Sequence, residues 1–138
     1  MKSTEMLASF SGFDDFLIYF FIAAAFLLVF IFIYIRITPY RELQLIREGN
    51  NAAAISLSGT ILGMVIPVAH AIEYSVGIID MAVWAAIALV VQLLVFVVAR
   101  VTLPEIAKDI PAGKTASGIF LGTISVAAGV LSAACMSY

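Results

Sequence analysis

The sequence predicts an all-α membrane protein with four transmembrane helices, arranged as two repeated helical hairpins in parallel orientation. Three observations predict it. The chain has 138 residues, of which 64% are apolar and 12% charged, about half the charge of an ordinary soluble domain. The 16 charged residues fall in four clusters separated by uncharged stretches of 19 residues or more, each long enough to cross a bilayer. The sequence also matches itself at an offset of 64 residues.

The elements follow in order. Residues 1–15 form a tail expected on the outer side of the membrane. The uncharged runs are then Phe16 to Ile35 (20 residues), Ala52 to Ile72 (21), Met81 to Ala99 (19) and Thr115 to Tyr138 (24). At ~1.5 Å per residue each reaches about 30 Å as a helix. A spanning barrel needs short segments of alternating polarity, whereas these runs are apolar on all sides. The first run is rich in bulky Phe, Ile and Leu, has no small-residue cleavage site at its end and stops at Arg36, so it reads as a retained span rather than a signal peptide. The two repeats cover 16–74 and 81–138.

The alignment at 64 residues pairs Leu17–Tyr74 with Met81–Tyr138 and gives eleven identities in 58 positions, where composition alone gives roughly one in ten. Seven lie within the 22 positions from Arg36 to Leu57 and include Arg36/Arg100, Thr38/Thr102 and Gly49/Gly113, which hydrophobicity does not explain. A two-span unit returns the chain to its starting side, so the copies share one orientation about an axis along the membrane normal.

Basic residues in short loops are retained on the cytoplasmic side. Arg36, Arg41 and Arg47 follow the first span and Arg100, Lys108 and Lys114 the third, against Lys2 alone on the other side. Both basic loops are therefore expected in the cytoplasm and both termini in the periplasm. Tyr19, Tyr74, Trp84 and Tyr138 are expected at the outer interface and Tyr34 at the inner one. Each basic loop reads as a short interfacial helix. In the first, Thr38 is the expected N-cap with Pro39 at the first position, Gly49 ends the helix, and Asn50 or Asn51 caps the second span. In the second, Thr102 and Glu105 have capping-box spacing, Pro104 lies in the first turn, and Pro111 and Gly113 close the segment. Leu43, Ile46, Ile106 and Ile110 are expected to face the membrane, with the basic side chains meeting headgroups or a cytoplasmic protein partner.

The second and fourth spans differ from the phenylalanine-rich first and the Val/Leu/Ala-rich third. Gly59 and Gly63 have GxxxG spacing with Ser56, Ser58 and Thr60 nearby, and Gly118, Gly122, Ser125, Gly129 and Ala133 follow a similar interval. In lipid, close backbone approach through small residues holds helices together. Ser58, Gly59, Gly63, Gly118, Gly122 and Gly129 are therefore expected at helix-packing faces. Small-residue faces left over point to a homo-oligomer, which Gly63→Leu or Gly122→Leu is expected to weaken.

Few residues carry chemistry. No charge lies within a predicted span, which argues against an ion-coupled carrier. Gln92, halfway along the third span, fits an inter-helix hydrogen bond, or with Thr60, Ser58 and Thr123 a polar path. Pro67 frees a backbone carbonyl one turn earlier, near Gly63. His70 and Glu73 share a helix face at the outer interface, and with only Asp80 and Cys135 as further ligands from that side interfacial solvation is the expected role rather than a metal site. Cys135 is a lone thiol with no disulfide partner in the chain, expected to behave as a small buried apolar group. There is no phosphate loop, no nucleophile with a paired base and no stretch basic enough for nucleic acid. The reading assigns no catalytic residue, cofactor or metal.

The segments FIYIRITPYRELQLIREGNN (Phe32 to Asn51), AAAISLSGTILGMVIPVAHAI, WAAIALVVQLLVFVVAR and TASGIFLGTISVAAGVLSAACMSY resemble the YjfL family of small bacterial inner-membrane proteins across nearly the whole chain. The resemblance implies a duplicated domain of unknown function, four spans and a bacterial inner membrane; it implies no functional residue. Sequence and resemblance together support a non-enzymatic membrane component, structural or accessory in envelope maintenance or stress, that oligomerises. The alternative is a passive channel or small transporter formed by an oligomer.

Overall fold

The computed structural model describes residues 2–136. The chain forms α1 (Lys2–Phe10), α2 (Phe13–Ile37), α3 (Glu42–Arg47), α4 (Asn51–Tyr74), α5 (Ile78–Thr102), α6 (Ile106–Asp109) and α7 (Thr115–Cys135). Four helical stretches are long and apolar enough to cross a membrane: Lys2–Ile37, Asn51–Tyr74, Ile78–Thr102 and Thr115–Cys135. The expected tail is thus itself helical, and α1 runs almost continuously into the first span through Ser11 and Gly12.

Capping at the ends of the spans differs from that expected. Thr38 closes α2 instead of opening α3: its backbone turns extended, and its hydroxyl donates to the Ile35 carbonyl at 2.9 Å. Thr102 likewise donates back to Val98 at 2.7 Å inside α5, so no capping box forms with Glu105. A hydroxyl in a last helical turn has a free carbonyl within reach, and that local bond wins over capping a helix several residues on. Pro39 and Pro104 both precede the short helices. Gly49 and Gly113 do end the short segments, at φ +86° and +80°, a conformation that strongly favours glycine. Asn50 caps α4, its side-chain oxygen accepting from the Ala53 N–H at 3.0 Å.

The core is built on α4 and α7. A methyl added at Gly59 would run into the backbone of Gly122, one at Gly63 into Ser125, one at Gly118 into Ala52, and one at Gly129 into Gly63. Residue numbers rise together along the two helices, so α4 and α7 run parallel with their backbones in contact, as small residues permit in lipid. One face of α5 (Met81, Ala85, Ala88, Gln92, Phe96, Ala99) is buried against this pair. α2 lies against α4 and α5, burying chiefly its Phe30 and Tyr34 end. The outward residues, among them Phe16, Phe20, Phe21 and Phe32 of α2 and Val90, Leu94, Val97 and Val98 of α5, are exposed, as a surface facing lipid acyl chains requires.

Candidate functional site

Two buried polar groupings interrupt the apolar core. The first is at mid-span. Pro67 has no N–H to donate to the carbonyl four residues earlier, that of Gly63. Gln92 supplies the missing donor: its Nε2 donates to the Gly63 carbonyl at 2.9 Å and to the Ser125 carbonyl at 3.1 Å. A single amide thereby ties α5 to both partners of the glycine seam. Thr60 continues the polar layer, donating to Ser56 at 2.8 Å and lying 3.5 Å from the Ser125 hydroxyl, which itself donates to Leu121 at 2.9 Å.

The second grouping lies at the end of the bundle that carries the basic loops. Glu42, the first residue of α3, is 0% exposed. Neither carboxyl oxygen has a hydrogen-bond partner, nor do the neighbouring hydroxyls of Tyr34 and Tyr40, both close enough to act on the carboxyl. Tyr34 also reaches towards Thr60, which connects this grouping to the mid-span layer. Burial raises Glu42 to about 8, against the smaller opposing effect of the two hydroxyls. Burial, and then the adjacent carboxyl, also hold the Tyr40 phenol above its ordinary range. A cleft of about 390 Å³, lined by Thr38, Tyr40, Arg41, Gln44 and Arg47 among others, adjoins Glu42.

A third feature is an open groove of about 590 Å³ along α4 and α7, lined by Ile55, Ser58, Gly59, Leu62, Gly122 and Thr123 among others. Its lining is almost wholly apolar apart from the two hydroxyls.

The family model described as Domain of Unknown Function (DUF350) matches residues 6–136. The chain belongs to this family. It is similar to the UPF0719 inner membrane protein YjfL of Escherichia coli K12, at 47% identity over 120 residues covering 87% of this chain and 91% of that protein, and equally to YjfL of Escherichia coli O157:H7. No solved structure matches. Family membership fits the fold described above but carries no activity with it.

The residues singled out in the sequence separate into groups. Gly59, Gly63, Gly118, Gly122 and Gly129 are buried and lie on the α4–α7 seam, whereas Ser58 is exposed in the groove. Thr123 is also exposed there, while Gln92 and Thr60 are buried inside the bundle. These four therefore do not line one path within a chain. Tyr34 lies at the basic-loop end of α2 but is turned inward, with its ring edge-on to Phe96 at 5.1 Å. Ile106 and Ile110 are buried under the bundle rather than facing lipid. Cys135 is exposed, not buried. No group of three or more His, Cys, Asp or Glu could hold a metal among the described residues. Tyr138 lies outside the described residues.

The basic residues lie at one end of the bundle, where Asn50 joins the two loops by donating to the carbonyls of Ile110 at 2.8 Å and Pro111 at 3.3 Å. Arg36, Arg41, Arg47, Arg100 and Lys108 are exposed. The Arg36 guanidinium lies 4.9 Å from the Phe32 ring centroid. Lys114 pairs with Asp109 at 3.2 Å. The Asp109 carboxylate is held below its usual range, first by the Ser117 hydroxyl and then by Lys114.

Glu42 is the residue that charge counting misses. It lies in a basic, polar loop, which reads as solvated. The available signal was the offset of 64 residues, which aligns Glu42 with the apolar Ile106.

Proposed function

We propose that this protein is a non-enzymatic structural or accessory component of the bacterial inner membrane, serving envelope maintenance or stress, that self-associates through the α4–α7 groove. The observation that carries this reading is the groove itself, a glycine-floored channel on the outer surface with Ser58 and Thr123 at hand for hydrogen bonds between chains. Small residues with a few hydroxyls make the kind of surface on which helices associate in lipid.

The architecture behind it is a duplicated hairpin in parallel orientation. Residues that meet across the α4–α7 seam are 62 to 67 positions apart, which brackets the 64-residue offset and supports a two-fold relation along the membrane normal. Both termini are periplasmic. Arg36, Arg41, Arg47, Arg100, Lys108 and Lys114 face the cytoplasm, where they meet anionic headgroups or a protein partner.

The test is the size of the assembly in liposomes, counted by single-molecule photobleaching. The wild type is expected to give more than one chain per complex, and Ser58→Leu combined with Thr123→Leu to shift it to single chains. Monomers in the wild type, or an unaltered oligomer in the double variant, overturn the reading. Gly63→Leu and Gly122→Leu are unsuitable for this purpose, since both residues already pack inside one chain. The Ser58 and Thr123 hydroxyls also favour a second reading, a passive pore formed between copies. Selective flux in liposomes that the same double variant abolishes would support it.

A further inference from the structure

The outer groove explains nothing about Glu42, which lies at the bundle end in a different environment. Four oxygens converge there, none in a well-formed hydrogen bond: both of Glu42 and the hydroxyls of Tyr34 and Tyr40, the two donors close enough to act on the carboxyl. An ionised carboxylate with no exposure and only two poorly placed phenols beside it is unfavourable, and such a group ordinarily neutralises by taking up a proton. Arg41 and Arg47 line the neighbouring cleft but do not pair with the carboxyl. Tyr34 approaches from α2 and Tyr40 from the segment before α3; Thr60 of α4 reaches Tyr34, and Arg100 of α5 acts on Tyr40. Among the described residues, no Lys, Arg or His forms an ion pair with Glu42. The neighbouring cleft gives the aqueous phase a route to the carboxyl.

We propose that Glu42, set between Tyr34 and Tyr40 beneath this cleft, is a proton-binding site whose occupancy couples the pH of the adjoining aqueous phase to the seating of α3 against the spans. With the proton bound, the carboxyl is neutral and α3 stays docked. When the proton leaves to water, the carboxylate has to be hydrated, and the route to hydration is for α3 to lift away from Tyr34. The other short helix has Ile106 at the aligned position, buried at 3% exposure, and is docked at any pH.

Infrared spectroscopy of the protein in liposomes tests this directly, because a protonated carboxylic acid has a carbonyl stretch distinct from that of a carboxylate. The wild type is expected to keep such a band after its exposed carboxyls have ionised, and to lose it with a midpoint near pH 8. Glu42→Gln is expected to lack it. Tyr40→Phe, which removes a hydroxyl that favours the charged form, is expected to move the midpoint upward and guards against a Glu42 variant that fails to fold. A band already gone by about pH 6, where ordinary carboxyls have ionised, overturns the proposal. So does a band that persists in Glu42→Gln, or a midpoint that follows sodium concentration, which would assign the site to a metal cation.

Discussion

The middle of the bundle and its basic end both bury polar groups, but the middle satisfies most of them and the end leaves four oxygens over. At mid-span the carbonyls of Gly63 and Ser125 are met by one Gln92 amide, and the hydroxyls of Ser56, Thr60 and Ser125 each donate to a backbone carbonyl. Gln92 Oε1 is left without a partner at mid-span, whereas at the end four oxygens of Glu42, Tyr34 and Tyr40 lack a well-formed hydrogen bond. A carbonyl freed in lipid has no water to turn to, so that of Gly63 has to be satisfied from within the protein. The end adjoins an aqueous phase, where an unpaired group is tolerated because a proton or water can reach it. The difference separates a grouping that holds the fold together from one that can respond to its surroundings.

The largest expected effect comes from opening the middle. Gly63→Leu would drive a side chain into Ser125 and Gln92 and is expected to destabilise by roughly 3 kcal/mol or more, beyond the usual range for overpacking. Gly12→Ala, with nothing within 4 Å, should stay within about 0.5 kcal/mol of the wild type. Reversible denaturation in mixed micelles measures both. Next, Ile106→Glu places a carboxyl at the aligned position of the second short helix without flanking phenols, and should destabilise by roughly 2 kcal/mol at neutral pH. Equal stability at that pH would mean that the two helix positions do not differ as argued.

Gln92→Leu leaves the Gly63 carbonyl unpaired and removes the second bond to the Ser125 carbonyl, and is expected to lower stability by about 1 kcal/mol, in line with measured hydrogen bonds between membrane helices. Asn50→Ala removes the α4 cap and the link to Ile110 and Pro111; a loss of about 1 kcal/mol in the same assay is expected.

The spans were legible because charge is excluded from lipid, and the glycines marked the α4–α7 seam because lipid offers no other strong drive for close packing. Pro67 and Gln92 were each noted in the sequence, but their convergence was not, since periodicity does not say which face of α5 turns towards Gly63. Thr38 and Thr102 were misplaced because a hydroxyl near a helix end can cap forward or bond backward, and both options leave the same local sequence. Glu42 was hidden by its neighbours: three of the loop's charged residues, Arg41, Arg47 and Glu48, are exposed, and hydropathy averages over them. Its spacing of three and four residues from Leu45 and Ile46, both half-buried, gave the only helical-face hint.

The contrast between the largely satisfied middle and the unsatisfied end is tested most directly by the pH dependence of unfolding, comparing the wild type with Glu42→Leu. Glu42 is raised from 4.5 to about 8 in the folded chain, so folding retains a proton that the unfolded chain gives up. The stability this contributes is fully present below about pH 4.5 and is lost as pH rises to about 8, a change on the order of 3–5 kcal/mol. Glu42→Leu should remove that slope and be the more stable protein at pH 9. Parallel curves for the two proteins would contradict the account.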